Sequence, residues 1–99
     1  MQVSIQSSGV DMDGDLETKI QRKLQLALSR VEPFITKISI KLTNVPNAKG
    51  SSNTHCRLTL AIANQGDIVI EDTQMDLECV IDRVLQKASR TIKRLIFTS

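Results

Sequence analysis

The 99-residue chain contains neither Trp nor Tyr, and its aromatic residues are Phe34 and Phe97 alone. That shortage excludes the sheet-based stacking by which RRM- and OB-type proteins hold unpaired bases. Histidine occurs once, at His55. With no second His to share a proton relay, catalysis gains no support, and an ordinary polar residue beside a loop is the simpler reading. The four glycines form no phosphate-cradling loop. Cys56 and Cys79 lack CxxC spacing, so they are expected to be buried free thiols in a reducing compartment. No apolar run approaches the length of a membrane span. Met1-Gln2-Val3-Ser4 has neither the basic start nor the apolar centre of a signal peptide. The expectation is a non-enzymatic, cytoplasmic protein with no cofactor, no metal, no membrane association and no small-molecule substrate.

Charge of one sign is missing from the end of the chain. No Asp or Glu follows Asp82, whereas Arg83, Lys87, Arg90, Lys93 and Arg94 all do. The net charge of +2 is only mildly basic, so distribution carries more information than balance. Acid collects instead at Asp11, Asp13, Asp15 and Glu17. An EF-hand would need a longer patterned loop ending in a Glu ligand, and Glu17 comes too soon. Helix capping and solvation account for this cluster, with Asp13 or Asp15 as the cap.

What is present is clear periodicity. Residues 2–7 alternate, with Val3 and Ile5 on one face, and Ser8-Gly9 ends that strand. Leu16, Ile20, Leu24, Ala27, Leu28 and Val31 give a helix its apolar face, stopped near Val31 by Pro33. Lys19, Arg22, Lys23 and Arg30 gather on another face of it. Residues 36–43 alternate again, with Ile38, Ile40 and Leu42 inward and Lys37, Ser39, Lys41 and Thr43 outward. Residues 44–53, rich in Asn, Pro, Gly and Ser, are expected to be a loop, long for a hairpin. Cys56, Leu58, Leu60 and Ile62 face inward on a third strand, with His55, Arg57, Thr59 and Ala61 outward. Asn64-Gln65-Gly66-Asp67 turns the chain into a fourth strand with Ile68 and Ile70 inward. The last helix is expected over 76–97, capped by Asp72 or Thr73.

The order β-α-β-β-β-α, with one apolar face per element, specifies an α+β single domain over residues 1–99. Both helices pack on one face of a four-stranded sheet whose other face meets water and offers no competing site. The two strands flanking the first helix are parallel, and the later strands form a meander.

The last helix is the candidate functional element. Leu77, Ile81, Val84, Leu85, Ala88, Ile92 and Leu95 fall within about a quarter of its circumference. Arg83, Lys87, Arg90 and Arg94 lie on a narrow strip roughly opposite. Mutual repulsion disfavours such a strip on stability grounds, and it suits a polyanion, phosphate backbone first. With no acidic partner nearby in sequence, its charge is expected to be available. If the helices lie side by side, their basic edges would join. Contact would then be cation to phosphate, reading the shape of folded RNA.

These residues carry a family resemblance. Ile81-Asp82 followed by Lys87, Arg90 and Lys93-Arg94, together with Leu16, Ile20, Lys23 and Leu24 and the strand ending in Ser8-Gly9, resemble the ribosome hibernation promoting factor and ribosome-associated inhibitor family, also called the sigma-54 modulation protein family. The similarity runs from Gln2 to about Leu95. It implies a factor that binds the small ribosomal subunit in the decoding region and silences translation under stress. It further implies that Lys23, Lys87, Arg90, Lys93 and Arg94 contact ribosomal RNA phosphates; helical geometry adds Arg22 and Arg83. Val10-Asp11 replaces the family's usual basic or polar residues after the strand Gly. The end at Ser99 suggests a short-form factor. Monomer or weak homodimer is expected, since an edge strand at Val3 or Ile68 could pair with a second copy. The alternative is a protein-interaction or regulatory module of the same fold that does not bind RNA.

Overall fold

The structure is a computed structural model that describes residues 2–97; Met1, Thr98 and Ser99, and with them the outer limits of the expected 1–99 domain, lie outside the described residues. Four strands and two helices follow in the expected order: β1 (Gln2–Ser8), α1 (Gly14–Leu28), β2 (Ile35–Pro46), β3 (Ser52–Ile62), β4 (Gly66–Gln74) and α2 (Leu77–Phe97). A 3₁₀ turn, Glu32–Phe34, joins α1 to β2. The sheet order is β1-β2-β3-β4, with β1 parallel to β2 and the other pairs antiparallel.

Register follows from alternation. Val3, Ile38, Leu60 and Ile68 lie in one row across the sheet, and Ile5, Ile40, Leu58 and Ile70 in the next. These rows meet Ile20, Leu24 and Leu28 of α1 and Val80, Ile81, Val84, Leu85, Ala88 and Ile92 of α2 in one core. A buried Leu or Ile contributes about 1.5–3 kcal/mol, so this layer supplies most of the driving force for folding. The opposite sheet face is polar and accessible.

Local boundaries depart from the periodicity in four places. Helix α1 ends at Leu28 rather than near Val31, because Pro33 has no N–H to continue the α-helical ladder and the chain tightens into the 3₁₀ turn at Glu32–Phe34. Val31 stays buried through a tighter turn in which its N–H donates to the Leu28 carbonyl at 3.1 Å. Residues 44–53 are not a long loop, since β2 and β3 pair as far as Pro46 and Ser52. Only residues 47–51 turn, held by Asn47, whose Oδ1 accepts the Lys49 N–H at 3.0 Å and whose Nδ2 donates to Ser51 Oγ at 2.8 Å. Helix α2 is capped by Asp76, whose carboxylate accepts the Cys79 N–H at 3.1 Å, and not by Asp72 or Thr73. Leu95 is exposed and Val80 takes a core position, since the last turns of α2 extend beyond the apolar rows.

Gly9 has two physical reasons to be glycine. Its φ is +75°, and a Cβ there would come within 3.0 Å of Asn44 Cβ. Cys56 is buried as expected, whereas Cys79 is exposed in the first turn of α2. Burial pushes the Cys56 thiol up to about 12, which keeps it protonated.

Candidate nucleic-acid interface

The two helices run parallel and are joined by a ladder of ions. Lys19 pairs with Glu78, and one turn further Lys23 donates to Asp82 at 2.7 Å. Asp82 is the main cause of a raised Lys23 pKa, and Lys19 holds Glu78 below the usual carboxylate range. Because the helices are parallel, their N-termini share one end of the molecule. There Asp13 caps α1 through the Leu16 N–H at 2.8 Å and Asp76 caps α2, so negative charge meets both positive dipole ends. The C-terminal turns, with Arg30 after α1 and Arg90, Lys93 and Arg94 on α2, share the other end.

On the far side of α2 the basic strip overhangs edge strand β4. Alternation that turns Ile68 and Ile70 inward also turns Asp72 inward, beneath the helix. Arg83 Nε donates to Asp72 Oδ2 at 2.6 Å, and Lys87 Nζ lies 3.5 Å from the same oxygen. The Arg83 hydrogen bond, aided by the Thr73 N–H, the Gln74 side chain and the Lys87 charge, holds the Asp72 carboxyl down at about 2.

The seven expected contact residues therefore divide. All lie on the helical layer. Lys23, Arg83 and Lys87 are ion-paired, Lys23 across the interhelical seam. Arg22, Arg90 and Lys93 are exposed and have no ion-pair partner among the described residues. Arg94 is exposed in the last turn. Two expectations are corrected. The strip does have an acidic partner, supplied by β4 rather than by α2. The basic edges of the helices do not join, because the Lys19–Glu78 and Lys23–Asp82 pairs stand between them. Asp72 is the residue that reading by sequence missed. The signal was its place two residues after Ile70 in an alternating strand.

His55 is engaged across the β3–β4 pair, its Nδ1 2.7 Å from Thr73 Oγ1 and its Nε2 3.2 Å from Glu71. Among the described residues no group of three His, Cys, Asp or Glu could hold a metal ion. No helix among them is long and apolar enough to cross a membrane.

Residues 3–96 match the family model described as sigma 54 modulation protein / S30EA ribosomal protein. The chain belongs to this family. Two solved structures share the fold of this sigma 54 modulation / S30EA member. A ribosomal subunit interface protein from Coxiella burnetii has a TM-score of 0.76 at 16% identity, over 96% of this chain and 97% of that one. The N-terminal domain of Protein Y from Thermus thermophilus has a TM-score of 0.72 at 14% identity, over 96% and 99%. No curated protein sequence matches significantly. At such low identity these likenesses concern the fold.

Proposed function

We propose that this chain is a ribosome-associated factor that binds small-subunit ribosomal RNA in the decoding region and silences translation under stress. The observation that carries the RNA contact is on the second half of α2: Arg90 and Lys93 are exposed with no carboxylate partner among the described residues, in a helix anchored to the core by Val84, Leu85, Ala88 and Ile92. Uncompensated cations on a helix bind phosphate without first giving up an ion pair, from a backbone that is already ordered. Family membership supplies the ribosomal context, and the names of the structural neighbours, one a subunit interface protein, agree with it. A ribosomal partner puts the protein in the cytoplasm. Arg22 and Arg94 extend the contact, while Lys23, Arg83 and Lys87 join it by exchanging a carboxylate for a phosphate. The reading involves no catalytic step and needs no cofactor or metal.

Co-sedimentation with purified small subunits at rising salt tests this reading. Binding should weaken steeply with salt, and Lys87→Ala/Arg90→Ala/Arg94→Ala together should flatten that dependence, by roughly 1 in slope for each phosphate no longer neutralised. Salt-independent binding, or a triple variant that binds like the parent, would overturn it.

A further inference from the structure

The face of the sheet turned away from the helices carries a second set of cations. Lys37 and Lys41 on β2 and Arg57 on β3 surround an open pocket of about 240 Å³, whose lining also includes Ser4, Ser39 and Thr59. The register explains the clustering. Ser4, Ser39 and Thr59 share one row across three strands, and Lys41 and Arg57 are direct cross-strand partners in the next. Like charges placed opposite each other in an antiparallel pair are unfavourable, so sheet stability does not account for this arrangement.

Little compensates these charges. Lys37 and Lys41 have no ion-pair partner among the described residues, and Arg57 has only Glu71, at 4.0 Å and itself shared with His55. Three hydroxyls beside three cations make a donor set suited to an anion with several acceptor oxygens. No aromatic side chain of the strands faces this surface, so bases would not stack here. A polyanion backbone fits the three cations, which are strung over two adjacent strands.

We propose that the open sheet face is a second phosphate-binding surface, holding the backbone of an RNA segment other than the one against α2. The protein would then lie between two RNA elements, helices to one and sheet to the other. The inference rests on the proposed function only for the class of partner.

The test compares Lys37→Gln/Lys41→Gln/Arg57→Gln with a helix variant, Arg90→Gln/Lys93→Gln, in binding to small ribosomal subunits at rising salt. The sheet variant should melt close to the parent, since it removes one like-charge pair, Lys41 with Arg57, and one weak opposite-charge pair, Arg57 with Glu71. It should also lower the salt slope by roughly 2 to 3, independently of the helix variant, and the two reductions should add in the combined variant. Titration of the folded parent with a short single-stranded RNA should shift the amides of Ser39, Lys41, Arg57 and Thr59, and inorganic phosphate alone should shift them less. A sheet variant with the parent's slope and affinity would overturn the inference whatever the helix variant does. Weakened binding by the sheet variant with none by the helix variant would support it and count instead against the α2 reading. Equal shifts from inorganic phosphate and RNA would reduce the surface to a simple anion site and overturn the backbone assignment.

Discussion

The two halves of α2 present the same kind of side chain on neighbouring faces and use it differently. In the first half, Arg83 and Lys87 converge on Asp72, which β4 delivers beneath the helix. In the second half, Arg90 and Lys93 face solvent with no carboxylate among the described residues to meet them. Both halves bury the same apolar stripe. The difference lies in the strand below: β4 turns a carboxylate toward the helix at position 72, whereas its other inward positions, Ile68 and Ile70, carry no charge. Charge on a helix is therefore a statement about its neighbours as much as about the helix. The first half commits its cations to fixing α2 on the sheet edge. The second leaves them available, with a helix-dipole contribution of only a few tenths of a kcal/mol.

The largest expected effect would separate the faces of the second half. Ile92 is fully buried, so Ile92→Ala should cost about 2–5 kcal/mol in denaturant unfolding. Arg90→Ala/Lys93→Ala should stay within about 0.5 kcal/mol of the parent in the same assay. A comparable destabilisation in the charge variant would show that these cations hold the fold.

A smaller effect is expected for Asp72→Asn, about 1 kcal/mol at neutral pH, because the Arg83 it binds is half exposed. Asp72 has its carboxyl held at about 2 in the folded chain against an ordinary 3.8. A lowered folded pKa gives stability that is fully present above the ordinary value. That stability disappears as pH falls from near 4 toward 2. Urea melts of parent and variant should therefore differ at pH 7 and converge at pH 2. The same substitution releases Arg83 and Lys87, so RNA binding should become tighter and more salt-dependent. Weaker binding would mean that Asp72 positions these cations for RNA.

The smallest effect concerns the first turn of α2. Cys79 is exposed there and Cys56 is buried in β3. Cys79→Ser should change stability by less than about 0.5 kcal/mol. In native buffer a thiol reagent should modify one site, Cys79, with Cys56 reacting only on unfolding. Native labelling of Cys56 would contradict the burial of β3.

Much of this was legible in the sequence because it depends on period. Ile38, Ile40 and Leu42 alternate and sit inward; Ile20, Leu24 and Leu28 repeat at helical spacing and meet them. Capping was less legible, since Asp72, Thr73 and Asp76 are all good caps, and only the length of β4 decides among them. The hairpin at residues 47–51 was hidden because Asn and Ser suit extended ends and turns alike. The candidate site was half legible. Arg83, Lys87, Arg90 and Arg94 follow from helical spacing, and Lys93 from the family resemblance. Their pairing does not, because Asp72 approaches from another element and the Lys23–Asp82 contact spans 59 positions. The basic cluster on the sheet was visible only as outward residues on separate strands, until register set Lys41 against Arg57.

The most direct test compares the salt dependence of small-subunit binding for Arg83→Ala/Lys87→Ala with that for Arg90→Ala/Lys93→Ala. The second pair should lower the slope by roughly 2, and the first pair by clearly less, because Asp72 already neutralises part of its charge. Equal reductions, or a larger one from the first pair, would contradict the division of labour along α2.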